Sequence, residues 1–547
     1  MRRVIGLSVF SAVVALTAGH AGAQAVNPGV VLPPSANPDL INEEQRRRLE
    51  EASRSPLVAP KTPAIETQQR PETAAPEGAT LRFRLTAVTF DPSAYLSAVE
   101  LAALAAPKIG HEVTLVDLQA LVEAVNALYT ARGAATARAV LPAQDVADGC
   151  VKIRLIEGRI GTVTVKGGSK RAAADAARRG GLATGSLADP RLLEARLRRY
   201  NLGHDGQLRA SLAAGDDFGT TDLLLAMETP DRVTIDAFAD NGGFTSTGRL
   251  EEGAIVRGYR LLRPDDRLSG VFVRSSGVLS ASGDYNVPLG NVLRLDLSSA
   301  YGRTHVQSSA LGSLDVRGTS LSFGASVTAL LIAGPRLTVT TSAAFQNTNS
   351  QTTIAGRSVT DNGENAVSVS LNIGYALPGI SLSVQQEVAY SPVRERVSGT
   401  QVNPVIFRGS AALRKVLLPR VQALLRADYQ IATTNDLPGI LQFQIGGTRT
   451  TRAFSPGTAA GDKGLDAAVE LSYAATVGAA NLQPFVFIDH AQVQGMLPFA
   501  SLQSGGTGLN LTLGDRLNVR ASYGTGFGHR GIAANERRAF FTANLRL

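Results

Sequence analysis

The last three-fifths of the chain narrows the choice of fold more than any other feature. From Arg232 onward no helical period is sustained, and apolar and polar residues alternate over about ten residues at a time between turn signals. Leu293, Leu295 and Leu297 alternate with Arg294, Asp296 and Ser298, while Val367, Val369, Leu371, Ile373 and Tyr375 alternate with Ser368, Ser370, Asn372 and Gly374. Such strands have one oily and one wet face. A soluble sandwich shows the same alternation, so the connections discriminate: in a membrane barrel they are short on one side and long on the other. Tight connections fall at 264–266, 288–291, 334–335, 377–379, 418–419, near 477–478 and at 514–515, and longer polar loops lie between them, including 347–365 and the longest, 433–464. Seven short turns joining fourteen strands, with one more strand at each end, predict sixteen strands whose two ends emerge on one side. Lipid offers no partner for backbone N–H and C=O groups, so this sheet must close. A barrel of about sixteen strands encloses a lumen.

Composition narrows the partners. With 44% hydrophobic residues, 55 glycines and 18% charged residues the chain is strand-rich and turn-rich, neither disordered nor collagen-like. The formal charge of +8 is scattered, with no basic block interleaved with aromatics, so no nucleic-acid partner is expected. Tryptophan is absent and aromatics are 5%, which predicts thin interfacial girdles. Arg2 and Arg3, an apolar stretch over 4–18 and Ala21-Gly22-Ala23 read as a signal peptide over 1–23. No later run of about 18 apolar residues offers a transmembrane helix. Cys150 is the only cysteine, which excludes an internal disulfide.

Enzyme signals are missing. The six histidines lie apart without metal-ligand spacing, and neither a GxSxG elbow nor a GxxxxGK[ST] loop is present. Gly524-Thr525-Gly526-Phe527-Gly528 has no helix after it and reads as strand and loop glycine. No catalytic activity, metal or cofactor is expected.

The front half is different. Residues 24–52 contain NEEQRRRLEEA over 42–52, a charged helix with almost no apolar face, which its own sequence leaves tethered and not docked. Residues 53–80 carry Pro56, Pro60, Pro63, Pro71 and Pro76 and read as a flexible linker. Residues 81–158 then read as β-α-α-β-β: a strand over 83–90, a helix with Leu118, Leu121, Val122, Val125 and Tyr129 on one face between a Thr114/Asp117 start and a Gly133 stop, and strands over 136–141 and 150–157. Residues 159–230 repeat that order: a strand over 160–166, a basic helix near 170–179, a helix opening at Asp189-Pro190 and ending at Gly203, and strands over 207–213 and 221–228. The barrel occupies 231–547.

The segment LYTARGAATARAVLPAQDVADGCVKIRLIEGRI, residues 128–160, resembles the POTRA repeat of two-partner-secretion (TpsB) transporters, the hemolysin secretion and activation family of the Omp85 superfamily. DNGGFTSTGR, residues 240–249, is similar to that family's lead-in to the barrel. The resemblance implies a loop folded back into the lumen with an Arg-Gly-aromatic tip; here GGTRTTRAF keeps Arg452 and Phe454 and has Ala453 for glycine. It also implies that Arg452 pairs with an aspartate of an FxD-like motif, which PFVFIDHAQ places at Asp489, with Ala491 replacing another glycine. Alanine at these two positions carries a cost wherever the backbone needs positive φ. The charged N-terminal helix resembles the family's lumen plug.

The implied function is an outer-membrane transporter whose periplasmic POTRA domains recognise an unfolded TpsA-type exoprotein, a hemolysin or adhesin, by strand addition and whose barrel passes it to the surface. Lipid and, during biogenesis, the barrel-assembly machinery are its other expected partners. An Omp85-type assembly factor is the alternative, against which the paired POTRA units and the plug-like helix weigh. A diffusion porin is disfavoured by the long soluble front half.

Overall fold

The computed structural model describes residues 32–53, 66–67, 82–134, 136–166, 178, 182–307, 314–495, 499–532 and 536–547. The expected signal peptide over 1–23, nearly all of the expected linker over 53–80 and all but one residue of the basic helix expected near 170–179 lie outside the described residues.

In the first small domain, helices Ala98–Ala105 and Leu115–Arg132 each begin with a reciprocal capping box, Ser97 with Glu100 and Thr114 with Asp117. Gly133, at φ +69°, ends the second helix in the left-handed conformation. Leu118, Leu121, Val122, Val125 and Tyr129 recur at helical spacing and are buried against Val151, Ile153 and Leu155 of strand Cys150–Glu157. The strand expected over 83–90 is broken into Arg82–Arg84 and Ala87–Phe90. At the break Leu85 exchanges backbone bonds with the 110–111 turn and Thr86 donates to the Gly149 carbonyl, so the chain changes sheets there.

The second domain has strand Arg159–Lys166, helix Pro190–Gly203 with Asp189 accepting from the Arg191 amide at 2.8 Å, and strands Gln207–Ala214 and Thr220–Glu228. Its sheet gains a strand that the sequence does not announce: linker residues Glu66–Thr67 pair in parallel with Gln207–Ala214.

Residues 233–546 form a closed antiparallel barrel of sixteen long staves, from Val233–Asp240 to Arg537–Arg546, which pair with each other across the seam. Short strands at Val393–Glu395, Gln401–Val402 and Ala475–Val477 are stitched onto it. The alternation has its predicted consequence. Val367, Val369 and Leu371 are exposed on the outer wall, while Asn362, Glu364 and Ser370 of the same stave are buried inside. On a soluble protein so much exposed apolar surface would aggregate; in a bilayer it is the solvated face.

The expected loop over 347–365 is instead the top of a tall hairpin. Staves Leu337–Ile354 and Arg357–Leu377 pair to a two-residue turn at Ala355 and Gly356, with φ of +49° and +79°. Asn347, Asn349 and Gln351 lie on its outer face, and Thr348, Ser350 and Thr352 are buried on its lumen face, so both faces are polar and no hydrophobic period marks it as strand. At the opposite end of the barrel the second small domain docks: Arg267 pairs with Asp205 at 3.0 Å, and the Arg294 and Arg260 guanidinium groups donate to the Gly203 and Pro230 carbonyls at 3.0 and 2.8 Å.

Candidate functional site

Two segments fill the lumen. The first is the connection at 433–462, which turns inward instead of projecting as an open loop. Asp462 accepts the backbone amides of Asp436 and Leu437 at 2.8 and 2.9 Å, and strands Phe443–Ile445 and Ala459–Gly461 pair with each other, so the loop is a folded hairpin. Gly446 and Gly447, at φ +102° and +94°, make the bend, and a side chain at Gly446 would collide with the Ser455 carbonyl.

At its tip, Arg452 meets Asp489 of stave Ala480–Gln494. Nε donates to Oδ2 at 3.0 Å, a terminal nitrogen donates to Oδ1 at 2.7 Å, and the Arg452 backbone amide adds a bond to Oδ2 at 3.0 Å. The other terminal nitrogen donates to Glu470 at 2.7 Å, and Glu470 also accepts from Arg520 at 2.7 Å. Arg452 is 4% exposed and Asp489 0%, so the fork is desolvated and its planar geometry is fully used. Burial alone would lower the Arg452 pKa, and the two carboxylates reverse this and raise it. The guanidinium carbon also lies 3.6 Å from the Phe487 ring centroid.

Phe454 is fully buried with Ile445, Ala453, Ala491, Val493 and Leu502, the only apolar cluster of the loop tip among the described residues. Neither Ala453 nor Ala491 has a positive φ, so the two glycine replacements carry no backbone strain. Both alanines are 0% exposed and fill their space.

The second segment is helix Pro38–Ser53. It starts four residues before the expected position, because Asn37 accepts the Asp39 amide at 3.0 Å as an N-cap and Pro38 takes the first helical position. That earlier start adds Leu40 and Ile41 to Leu49 as buried apolar residues, and the helix is docked inside the barrel, contrary to the tethered reading. The wall that receives it is mainly polar, with Phe244 and Val278 packed on Ile41 and Val271 and Val273 on Leu49, so a helix with few apolar residues fits. Asp39 accepts from Ser350 and Thr352 at 2.6 and 3.3 Å and from Thr360 and Asn362 at 3.3 and 3.1 Å. Asn42 accepts from Thr304 at 2.7 Å, Gln45 donates to Glu251 at 2.7 Å, and Arg48 pairs with Glu251 and, at 3.3 Å, with Asp240. Arg257 closes the C-terminal end by donating to the Ala52 carbonyl at 2.8 Å. Burial pushes the Asp39 carboxyl up against the pull of its four donors. Burial acts on Glu43 in the same sense, yet Arg46 and Arg47 overcome it and hold that carboxyl at about 2. Helix and loop touch, through Gln444 to the Leu40 carbonyl at 2.8 Å and Arg449 to Glu51 at 2.5 Å.

Several contributors are invisible in the motifs. Glu470, Ser504, which donates to Asp489 at 3.1 Å, and the four receptors of Asp39 are ordinary inward-facing strand residues. Gly524 and Gly526 have a role that the GTGFG motif conceals: a methyl group there would lie 2.9 Å from the Arg452 carbonyl oxygen and 2.7 Å from the Phe454 ring. Gly302 and Gly318 make the same room for Asn42 and Pro38.

Residues 83–158 match the family described as "POTRA domain, ShlB-type", and residues 219–513 match "Haemolysin secretion/activation protein ShlB/FhaC/HecB". The chain belongs to the ShlB/FhaC/HecB family. This is a family of outer-membrane β-barrels that carry POTRA domains, of transporter type. Among curated relatives, the chain is 25% identical over 223 residues to outer membrane transporter CdiB of Escherichia coli, spanning 41% of this chain and 37% of that protein. It is 29% identical over 161 residues to heme/hemopexin transporter protein HuxB of Haemophilus influenzae, 28% of each. Both matches thus span well under half of the relatives' length. Among solved structures, Escherichia coli CdiB superposes with a TM-score of 0.70 at 17% identity, over 95% of this chain and 100% of that one. CdiB of Acinetobacter baumannii gives 0.64 at 16% identity over 93% and 97%, and BamA of Haemophilus ducreyi 0.51 at 14% over 85% and 100%. At these identities the likeness concerns the fold. In this ShlB/FhaC/HecB member, the Arg452 loop and the lumen helix occupy one continuous polar interior.

Proposed function

We propose that the protein is the outer-membrane transporter of a two-partner secretion system, taking an unfolded TpsA-type exoprotein in the periplasm and passing it through the barrel. Residues 81–158 and 159–230 act as paired POTRA domains there, and residues 24–52 carry the plug. The carrying observation is that the lumen is filled by a helix held by many polar contacts and only three buried apolar side chains. Three buried apolar side chains, Leu40, Ile41 and Leu49, give the helix about 1.5–3 kcal/mol each. The other bonds, mostly to charged groups and about 1.5–3 kcal/mol each, can be replaced one at a time by water or by a passing backbone. A plug of this kind is removable without unfolding the barrel.

Strand Ala137–Val140 supports capture by strand addition, since it has a strand partner on one side only among the described residues. The matching edge of the second domain is taken by Glu66–Thr67. The Arg452–Asp489 fork fixes the 433–462 loop as the inner wall of the path. No nucleotide motif is present in the sequence, so direction comes from folding of the partner outside.

The test is to lock the helix. A β-carbon at Gly302 would lie 3.6 Å from that of Asn42, within disulfide range. Asn42→Cys with Gly302→Cys, in a Cys150→Ser background, should stop secretion of the cognate exoprotein under oxidising conditions and release it on reduction. Secretion that continues with the helix locked defeats the proposal. Removing residues 33–53 should raise single-channel conductance in planar bilayers.

A further inference from the structure

The outer wall of the barrel carries a polar depression with arginines around it just above its apolar band. Staves Val316–Ala333, Leu337–Ile354 and Arg357–Leu377 have 18, 18 and 21 residues, roughly twice the 9–11 that cross a bilayer. Their ends distant from the small domains therefore stand above the hydrocarbon. Moving along the wall away from those domains, outward apolar residues stop at Tyr301, Leu321, Phe323, Phe345 and Val367, each 41–53% exposed.

One step further the chemistry changes. Register places Arg303 opposite Thr319, His305 opposite Arg317, and Gln351 between Thr319 and Asp361. A depression of about 390 Å³ lies here, bordered by Tyr301, Thr319, Leu321, Asn349, Gln351 and Asp361. Arg396 overhangs it, donating to Asp361 at 2.6 Å and to Asn349 at 2.7 Å. Arg317 uses Nε on Asp315 at 2.7 Å, which His305 also approaches at 3.3 Å. The Arg303 side chain makes no hydrogen bond or ion pair with any described residue.

We propose that this depression binds the phosphorylated sugar head of a lipid A-type glycolipid in the outer leaflet. Guanidinium forks match phosphate oxygens bidentately. The Thr319, Asn349 and Gln351 floor offers donors and acceptors suited to a sugar, and Tyr301, Leu321 and Phe323 continue below as a wall for acyl chains. Asp315 takes only Nε of Arg317, while Arg396 uses one N–H of each terminal nitrogen on Asp361 and Asn349, so Arg303, the terminal nitrogens of Arg317 and the second N–H of each Arg396 terminal nitrogen remain for phosphate. A zwitterionic phospholipid would cover the apolar wall but supply neither a second phosphate nor a sugar. The proposal rests on the reading that the small domains face the periplasm, which puts this end of the staves in the outer leaflet.

Full-length protein, washed in detergent and reconstituted with phosphatidylglycerol plus lipid A, should retain lipid A, counted by native mass spectrometry. Arg303→Gln/Arg317→Gln/Arg396→Gln should lower retention at least tenfold, and Arg303→Gln alone, which breaks no described bond, at least threefold. Heat-modifiable gel migration checks that each variant is folded. Arg336→Gln/Arg516→Gln, at the turns on the small-domain side, should leave retention unchanged, and wild type should not retain dephosphorylated lipid A. Equal retention by the triple variant, or by wild type with dephosphorylated lipid A, overturns the site. Loss in the small-domain-side variant instead would show the orientation to be inverted, and the proposal would fall with it.

Discussion

The Arg452–Asp489 fork concentrates in a few atoms what holds the folded-in loop. Breaking a buried ion pair by removing one partner costs about 3–5 kcal/mol, because the survivor is left desolvated. Asp489→Asn and Arg452→Ala should therefore free the tip, detected as new protease cleavage within 433–462 while the barrel keeps its heat-modifiable migration. Arg452→Lys should behave almost as badly, since one ammonium cannot span Asp489 and Glu470 together. Gly526→Val acts from the other side: the tip has no room to retreat from the Phe454 ring, and overpacking costs about 1–3 kcal/mol. The same protease assay should report it. Arg452, Phe454 and Asp489 are legible in sequence only through the family-like motifs around them. Glu470 and Gly524 carry no local mark, since what distinguishes them is which stave neighbours the loop after closure.

The helix Pro38–Ser53 poses a question of sign with pH. Glu43, held at about 2 against an ordinary 4.5, favours docking above 4.5, and that contribution fades only as pH falls through about 2. Asp39 has the opposite sign: its carboxyl is raised, so the docked helix takes up a proton as pH falls and docking gains. Mild acid should not open the channel, and wild-type conductance should stay at its closed level from pH 7 to pH 5. Opening in that range would contradict the assignment of Asp39 as a buried anchor. Removing the anchor with Asp39→Ala should instead raise the open probability at pH 7, because four wall donors lose their acceptor. The sequence suggested an undocked helix because it has almost no apolar face. That inference assumes an apolar receptor, and the receptor here is mainly polar, with apolar patches only under Ile41 and Leu49.

For the whole molecule, the seam is the weakest part of the barrel ladder. The first and last staves share five paired residues, against eight for the first and second. The Asn241 side chain extends this pairing, accepting the Phe541 amide at 2.8 Å and donating to the Ala539 carbonyl at 3.0 Å. Asn241→Ala should lower the temperature of the gel-mobility shift by a few degrees, the size expected for two bonds of about 1 kcal/mol each. Asp236 links this seam to the lumen, accepting from Arg546 at 3.0 Å and from Arg257, which holds the helix terminus, at 2.8 Å. Deleting residues 33–53 should therefore also make the barrel melt earlier, and an unchanged melting temperature would uncouple the two.

The strand-rich second half, its sixteen staves and the membrane setting can be read from the residues alone, because period-two alternation and turn chemistry are local properties. The helix Leu115–Arg132 of the first small domain is written locally in the same way, through Thr114, Asp117 and Gly133. Three outcomes are set by long-range packing instead: the 347–365 stretch is strand apart from its tight turn, Glu66–Thr67 completes a distant sheet, and a charged helix sits inside the barrel. Those outcomes depend on surfaces that exist only once the sheet has closed, when polar residues scattered over many staves come to face one lumen.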